Sequence, residues 1–168
     1  MRPGYTGHLI ERELFGEVDK KKILSQEGHL NFKDSMLAAK DAQPYEDPSD
    51  PEPRFANDLH ANIADLLGLE DYNDLKIFTG VHSYLDYAHG VDAWVELNYN
   101  NKIYRVELDV TSNPVKEEDI TVLDKKIVFY WPKNGLDSAT KEDKEKYVQK
   151  LDKITRIIAE VFAEMIEQ

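Results

Sequence analysis

Asp92 and Asp109 are the residues of this chain best placed to do chemistry, and a turn between them explains why. Around Asn100-Asn101 lie two stretches of alternation. In the first, Val91, Ala93, Val95 and Leu97 alternate with Asp92, Trp94, Glu96 and Asn98. In the second, Tyr104, Val106, Leu108 and Val110 alternate with Arg105, Glu107, Asp109 and Thr111. A period of two marks strands with one buried face. Two Asn residues tolerate the positive φ of a two-residue type I′ turn. With Asn100 and Asn101 as the loop, Tyr99 faces Lys102, Glu96 faces Arg105 as a cross-strand ion pair, Trp94 faces Glu107, and Asp92 faces Asp109. Like charges directly opposite on a sheet repel, by up to about 1 kcal/mol. A divalent cation between the carboxylates, or a shared proton, relieves that repulsion. The alternative is a solvated sheet face on a protein with 33 acidic residues in 168.

The elements that must position this pair follow from periodicity. Residues 54–68 read as a helix closed by Gly68, with Phe55, Leu59, Ile63, Leu66 and Leu67 as its apolar stripe. Asp58 sits at the edge of that stripe. It is expected either to reach over the sheet as a third metal ligand or to complement the helix macrodipole. Residues 75–81 read as a first strand. Residues 82–90 lead into the hairpin and carry His82, Asp86 and His89, candidates for ligands or a proton shuttle whose spacing matches no zinc signature. Residues 112–125 read as a loop with Lys116 and the acidic run Glu117-Glu118-Asp119, and residues 126–132 as a fourth strand that Pro132 ends. Residues 140–167 form the clearest helix, with Thr140 and Asp143 resembling a capping box. Its wide apolar face, including Tyr147, Leu151, Ile154, Ile158 and Phe162, suits a cover for a sheet of three to four strands and also offers a homodimer face.

The sequence thus divides into a helical segment, 1–42, a Pro-rich acidic linker or loop, 43–53, with four of the seven prolines, and an α/β (α+β) core, 54–168. Lys20-Lys21-Lys22 in the first segment is either a solvated helix end or a phosphate-facing patch. A length of 168 residues suits one domain. There is no cysteine, which excludes disulfides and thiolate chemistry. No apolar run approaches the ~18 residues of a membrane span, and no signal-peptide core follows Met1. The expected location is therefore the cytoplasm, with no membrane partner. The net charge of −12 repels phosphates at long range. A nucleic-acid partner, DNA or RNA, would need a local basic rim or a bound divalent metal.

A helix, a strand, a strand with Asp92, a strand with Asp109 and a closing helix resemble the restriction-endonuclease-like superfamily, the PD-(D/E)xK nucleases. That fold is a mixed central sheet of about four strands flanked by helices in αβββαβ order. The resemblance implies a Mg²⁺- or Mn²⁺-dependent nuclease, a hydrolase of phosphodiesters. Asp58 would stand for the family's variable first acid, Asp92 for the Asp of the second strand, and Asp109 for the acid of the (D/E)xK element. Asp58, Asp92 and Asp109 would then hold the metal, with Glu107 as an additional ligand or base. The motif lysine is missing, since its position holds Thr111. Lys116, or Lys125 or Lys126 from another element, would have to supply it. Without a substitute, the resemblance implies a catalytically inactive binding or regulatory protein on the same scaffold.

Overall fold

Asn100 and Asn101 take φ of 53° and 62°, and the hairpin they close sets the centre of the sheet. The computed structural model describes residues 3–23, 30–114, 120–136 and 139–168. Strands β1 (Leu75–Thr79), β2 (Ala93–Tyr99) and β3 (Lys102–Thr111) form an antiparallel meander. Tyr99 pairs with Lys102, Glu96 with Arg105 and Trp94 with Glu107, the register the turn predicts. Beyond β3, the expected loop 112–125 contains a further strand. β4 (Ile120–Leu123) turns through Asp124, at φ 57°, into β5 (Lys126–Tyr130). β5 is parallel to β3 and antiparallel to β4, so the sheet order is β1-β2-β3-β5-β4. The protein is thus mixed α/β with an open five-stranded sheet flanked by helices. Four short residues with two exposed positions give β4 a pattern too weak to read as a strand.

The helices are α1 (Pro3–Phe15), α2 (Lys20–Ile23), α3 (Phe32–Asp41), α4 (Arg54–Leu67), α5 (Tyr84–His89) and α6 (Lys141–Glu167). Gly68 closes α4 in the left-handed conformation, as helix C-termini favour. Thr140 opens α6 by accepting from the Asp143 amide at 3.1 Å. The long helix follows the last strand instead of preceding it. The element order therefore departs from αβββαβ at its end.

One face of the sheet buries Ile77, Val95, Val106, Leu108, Ile127 and Phe129 against α1, α4 and α6. Ile10, Leu14 and Phe15 of α1 belong to this same core, so residues 1–42 are built into the fold. The apolar stripe of α6 is spent here, on α4 and β3. The other face, which alternation marks as polar, is covered as well. Phe78 and Trp94 stack with centroids 5.2 Å apart, and Val18, Met36, Ala39, Leu85 and Val91 close over them. Trp94 is therefore a core residue, with no face left to stack a base. Glu96 still lies opposite Arg105, but its carboxylate takes Lys40 Nζ at 3.0 Å and Trp94 Nε1 at 2.8 Å. The Arg105 guanidinium lies 5.7 Å over the Phe32 ring instead.

The Pro-rich stretch 43–53 is a strap. Pro48 O accepts from the Ile77 amide at 2.9 Å. The Gln43 side chain bridges Thr79, accepting from its amide at 2.8 Å and donating to its carbonyl at 2.7 Å. Proline cannot donate to a ladder, so the strap closes the open edge of β1 without extending the sheet. Gln43→Leu strands both Thr79 groups in a buried place and is expected to destabilise the protein by about 2–3 kcal/mol. Urea unfolding measures this; a loss below about 0.5 kcal/mol, the scale of an ordinary surface change, would show that the strap does not hold the edge.

Candidate functional site

The carboxylates converge where β2 begins. Gly80, just past β1, donates to Asp92 O at 2.7 Å, and a Cβ on residue 80 would stand 2.8 Å from Val91 O. Only glycine lets the two segments come this close. The chain then makes α5, capped by Ser83 and closed by Gly90 at φ 66°. That left-handed residue turns the chain into Val91-Asp92, which explains the glycine in His-Gly-Val-Asp. The Asp92 amide donates to Leu108 O at 2.9 Å, and Asp92 Oδ2 accepts from the Val110 amide at 2.7 Å. Asp92 is 1% exposed.

Three further acids meet it. Ile10 and Leu14 anchor α1 in the core and set Glu11 toward Asp92. α5 supplies Asp86, whose Oδ2 accepts from the His82 amide at 3.0 Å. One carboxyl oxygen from each of Glu11, Asp86 and Asp92 lies within 4.8 Å of the others. Asp109, on β3, is close enough to act electrostatically on Asp92 and Glu11. A lysine completes the group: Lys126 Nζ, from β5, is 3.8 Å from Asp109 Oδ2. Gly90 leaves room for it, because a Cβ there would lie 3.1 Å from that Nζ.

Burial is the main force on these groups. It raises the Asp92 carboxyl well above the usual carboxylate range, reinforced by Asp86 and Glu11. Burial, then Asp86 and Asp109, push Glu11 from its ordinary 4.5 to about 8. Asp109 is also raised by burial, with Asp92 and Lys126 pulling it back. At neutral pH the cluster retains protons unless a cation replaces them. Every donor is a carboxylate oxygen, the set that suits Mg²⁺, Mn²⁺ or Ca²⁺ and not zinc's nitrogen and sulfur preference. Oxygens around Mg²⁺ stand about 3.0 Å apart when cis and about 4.2 Å apart when trans, so the three carboxylates would have to draw together to share the ion.

Of the residues expected to form a site, Asp92 lies in the three-carboxylate group, and Asp109 acts on it electrostatically from β3. Asp58 does not join them. It accepts from Tyr147 Oη at 2.6 Å and lies 3.8 Å from Arg54 Nε, tying α4 to α6. The helical acid at the cluster is Glu11. Glu107 faces Trp94 in register, two residues before Asp109 on β3. Burial raises it, while Arg105 and Lys126 lower it, and it lies outside the three-carboxylate group. Lys116 lies outside the described residues. Of the loop candidates, Asp86 joins the cluster. His82 pairs with Glu17 Oε2 at 2.5 Å, and His89 Nε2 donates to Leu30 O at 3.3 Å. Glu11 left one trace in the sequence, an acid between Ile10 and Leu14 on the apolar side of a helix. No helix among the described residues is long and apolar enough to cross a membrane. No family model, curated protein or solved structure matches this chain.

The raised acids fix a pH dependence for the metal-free protein. An acid with a higher pKa folded than unfolded stabilises fully below its unfolded value and loses that contribution as pH rises through the folded one. For Glu11 the window runs from 4.5 to about 8; Asp92 and Asp109 act in the same direction. The thermal midpoint in EDTA is therefore expected to fall between pH 5 and pH 8, and Glu11→Gln to flatten that fall. A midpoint that rises across this range, or falls equally in Glu11→Gln, would show that the carboxyl is not perturbed.

Proposed function

We propose that this protein is a divalent-metal-dependent phosphodiesterase of the nuclease type. The observation that carries the reading is the meeting of half-buried Glu11 and Asp86 with buried Asp92, flanked by Asp109 and Lys126. Asp92, Asp86 and Glu11 would hold Mg²⁺ or Mn²⁺, with Asp109 at the edge of the set. Bound there, the metal would lower the pKa of a water and offset charge on the phosphorane. Lys126 takes the place left by Thr111: its ammonium can steady the attacking hydroxide and the transition-state charge, and Asp109 orients it. Hydrolysis adds the water oxygen to phosphorus, breaks the bond to the leaving oxygen and sends that oxygen out with a proton.

A second reading, a metal-holding scaffold without hydrolysis, is favoured by one observation. Asp92 Oδ2 is already occupied by the Val110 amide, which leaves Asp92 one oxygen for a ligand.

Calorimetry with Mn²⁺ and cleavage of DNA and RNA separate these outcomes. The native protein is expected to bind Mn²⁺, and Asp92→Asn to weaken binding at least about tenfold. Lys126→Met is expected to keep the Mn²⁺ isotherm but lower the cleavage rate about 10²–10³-fold. Binding without cleavage by native protein would favour the scaffold reading. Negligible heat with native protein would end both.

A further inference from the structure

A cleft of about 420 Å³ opens beside the carboxylate cluster, lined by Lys20, His82, Ser83, Tyr84, Asp86 and Tyr87. Its size falls within the range of small-ligand pockets, about 300–1,000 Å³. Asp86 belongs to both the cleft and the cluster, so whatever occupies the cleft lies against the candidate metal ligands. The walls differ in chemistry. Leu85 pins α5 into the second core, which turns Tyr87 outward at 86% exposure. Lys20 stands at the start of α2, exposed, as the first of the three successive lysines. His82 is fixed by Glu17 through its ring and holds Asp86 through its amide, so it shapes the wall between aromatic and acid.

We propose that this cleft seats an unpaired nucleotide of single-stranded nucleic acid, with Tyr87 stacking on the base and Lys20 meeting a phosphate. The proposal rests on the nuclease reading above and specifies its substrate. A chain of net charge −12 repels a polyanion at long range. Affinity must then come from short-range contacts, and base–aromatic stacking is the strongest of these that tolerates any sequence. A base inside a duplex is already stacked and cannot reach Tyr87. A splayed single strand offers its bases freely, and with one of them in the cleft the adjoining phosphodiester falls beside Asp86, the acid that cleft and cluster share.

Fluorescence anisotropy with a labelled oligothymidylate and a duplex of the same length tests this, with Ca²⁺ replacing Mg²⁺ to prevent turnover and again in EDTA. The native protein is expected to bind the single strand more tightly than the duplex. Tyr87→Ala is expected to weaken single-strand binding about 5- to 150-fold, and Tyr87→Phe, which keeps the ring, to bind as native within about twofold. Lys20→Gln is expected to lower the salt slope by about 0.7. Tyr87→Ala should leave the Mn²⁺ isotherm unchanged, because an exposed ring outside the cluster holds no metal. Equal affinity for duplex and single strand, no measurable single-strand binding by native protein, or no effect of Tyr87→Ala would overturn the proposal. The EDTA arm keeps these results separate from a failure of metal binding, which would end the nuclease reading alone.

Discussion

A carboxylate withdrawn from water beside other carboxylates must be neutralised, and Asp92 imposes that requirement on everything around it. Isolated burial of such a charge costs several kcal/mol even after relaxation. The fold answers in part: one oxygen of Asp92 takes the Val110 amide, a charge-assisted bond of the stronger kind. The remainder is left open. Glu11, Asp86 and Asp109 press more negative charge on the same spot, and Lys126 offsets one unit of it. A structural role alone would be met by Asn or Ser at these positions. On the proposed reading, a dication would neutralise the four acids assembled from α1, α5, the entry to β2 and the end of β3 toward Thr111.

The double covering of the sheet gives this cluster its strength. With α1, α4 and α6 on one face and α3 and α5 on the other, the end of the sheet where Asp92 enters β2 is shielded from both sides. Interactions between charges grow as water is excluded. The same acids on a solvated hairpin would be ordinary surface residues. The second core, built on Phe78 and Trp94, therefore helps to bury Asp92, while the strap along β1 closes the neighbouring edge.

How much of this was legible in the sequence depended on the range of the interaction. Asn100-Asn101 is local, and it gave the β2–β3 register, from Ala93 beside Leu108 to Tyr99 beside Lys102, correctly. Gly68 and Thr140 are local too, and the helices they bound are present. Asp58 misled because edge-of-stripe placement fits a ligand and a helix–helix tie equally well, and Tyr147, 89 residues away, decides between them. Glu11 was missed because α1 had no visible link to the strands; the link is Ile10, Leu14 and Phe15 packing into a core whose other members lie far along the chain. The polar face was misjudged because alternation separates two faces but does not say what covers each.

Lys126 shows most plainly what topology adds. The register places it directly beside Glu107 on the parallel neighbour, so both side chains share the face that also carries Asp109 and Thr111. A lysine at 111 would have stood two residues beyond Asp109 on the same strand and face. From position 126 the side chain must instead run diagonally across one pair, a neighbour distance of about 7–8 Å on a sheet and within the span of a four-carbon stem. Gly90 keeps that path clear. The β4–β5 hairpin delivers β5 parallel to β3, and so brings a lysine to the acids from a stretch of sequence that carries no motif. Thr111 therefore does not by itself remove the chemistry, because the charge can enter from the adjoining strand.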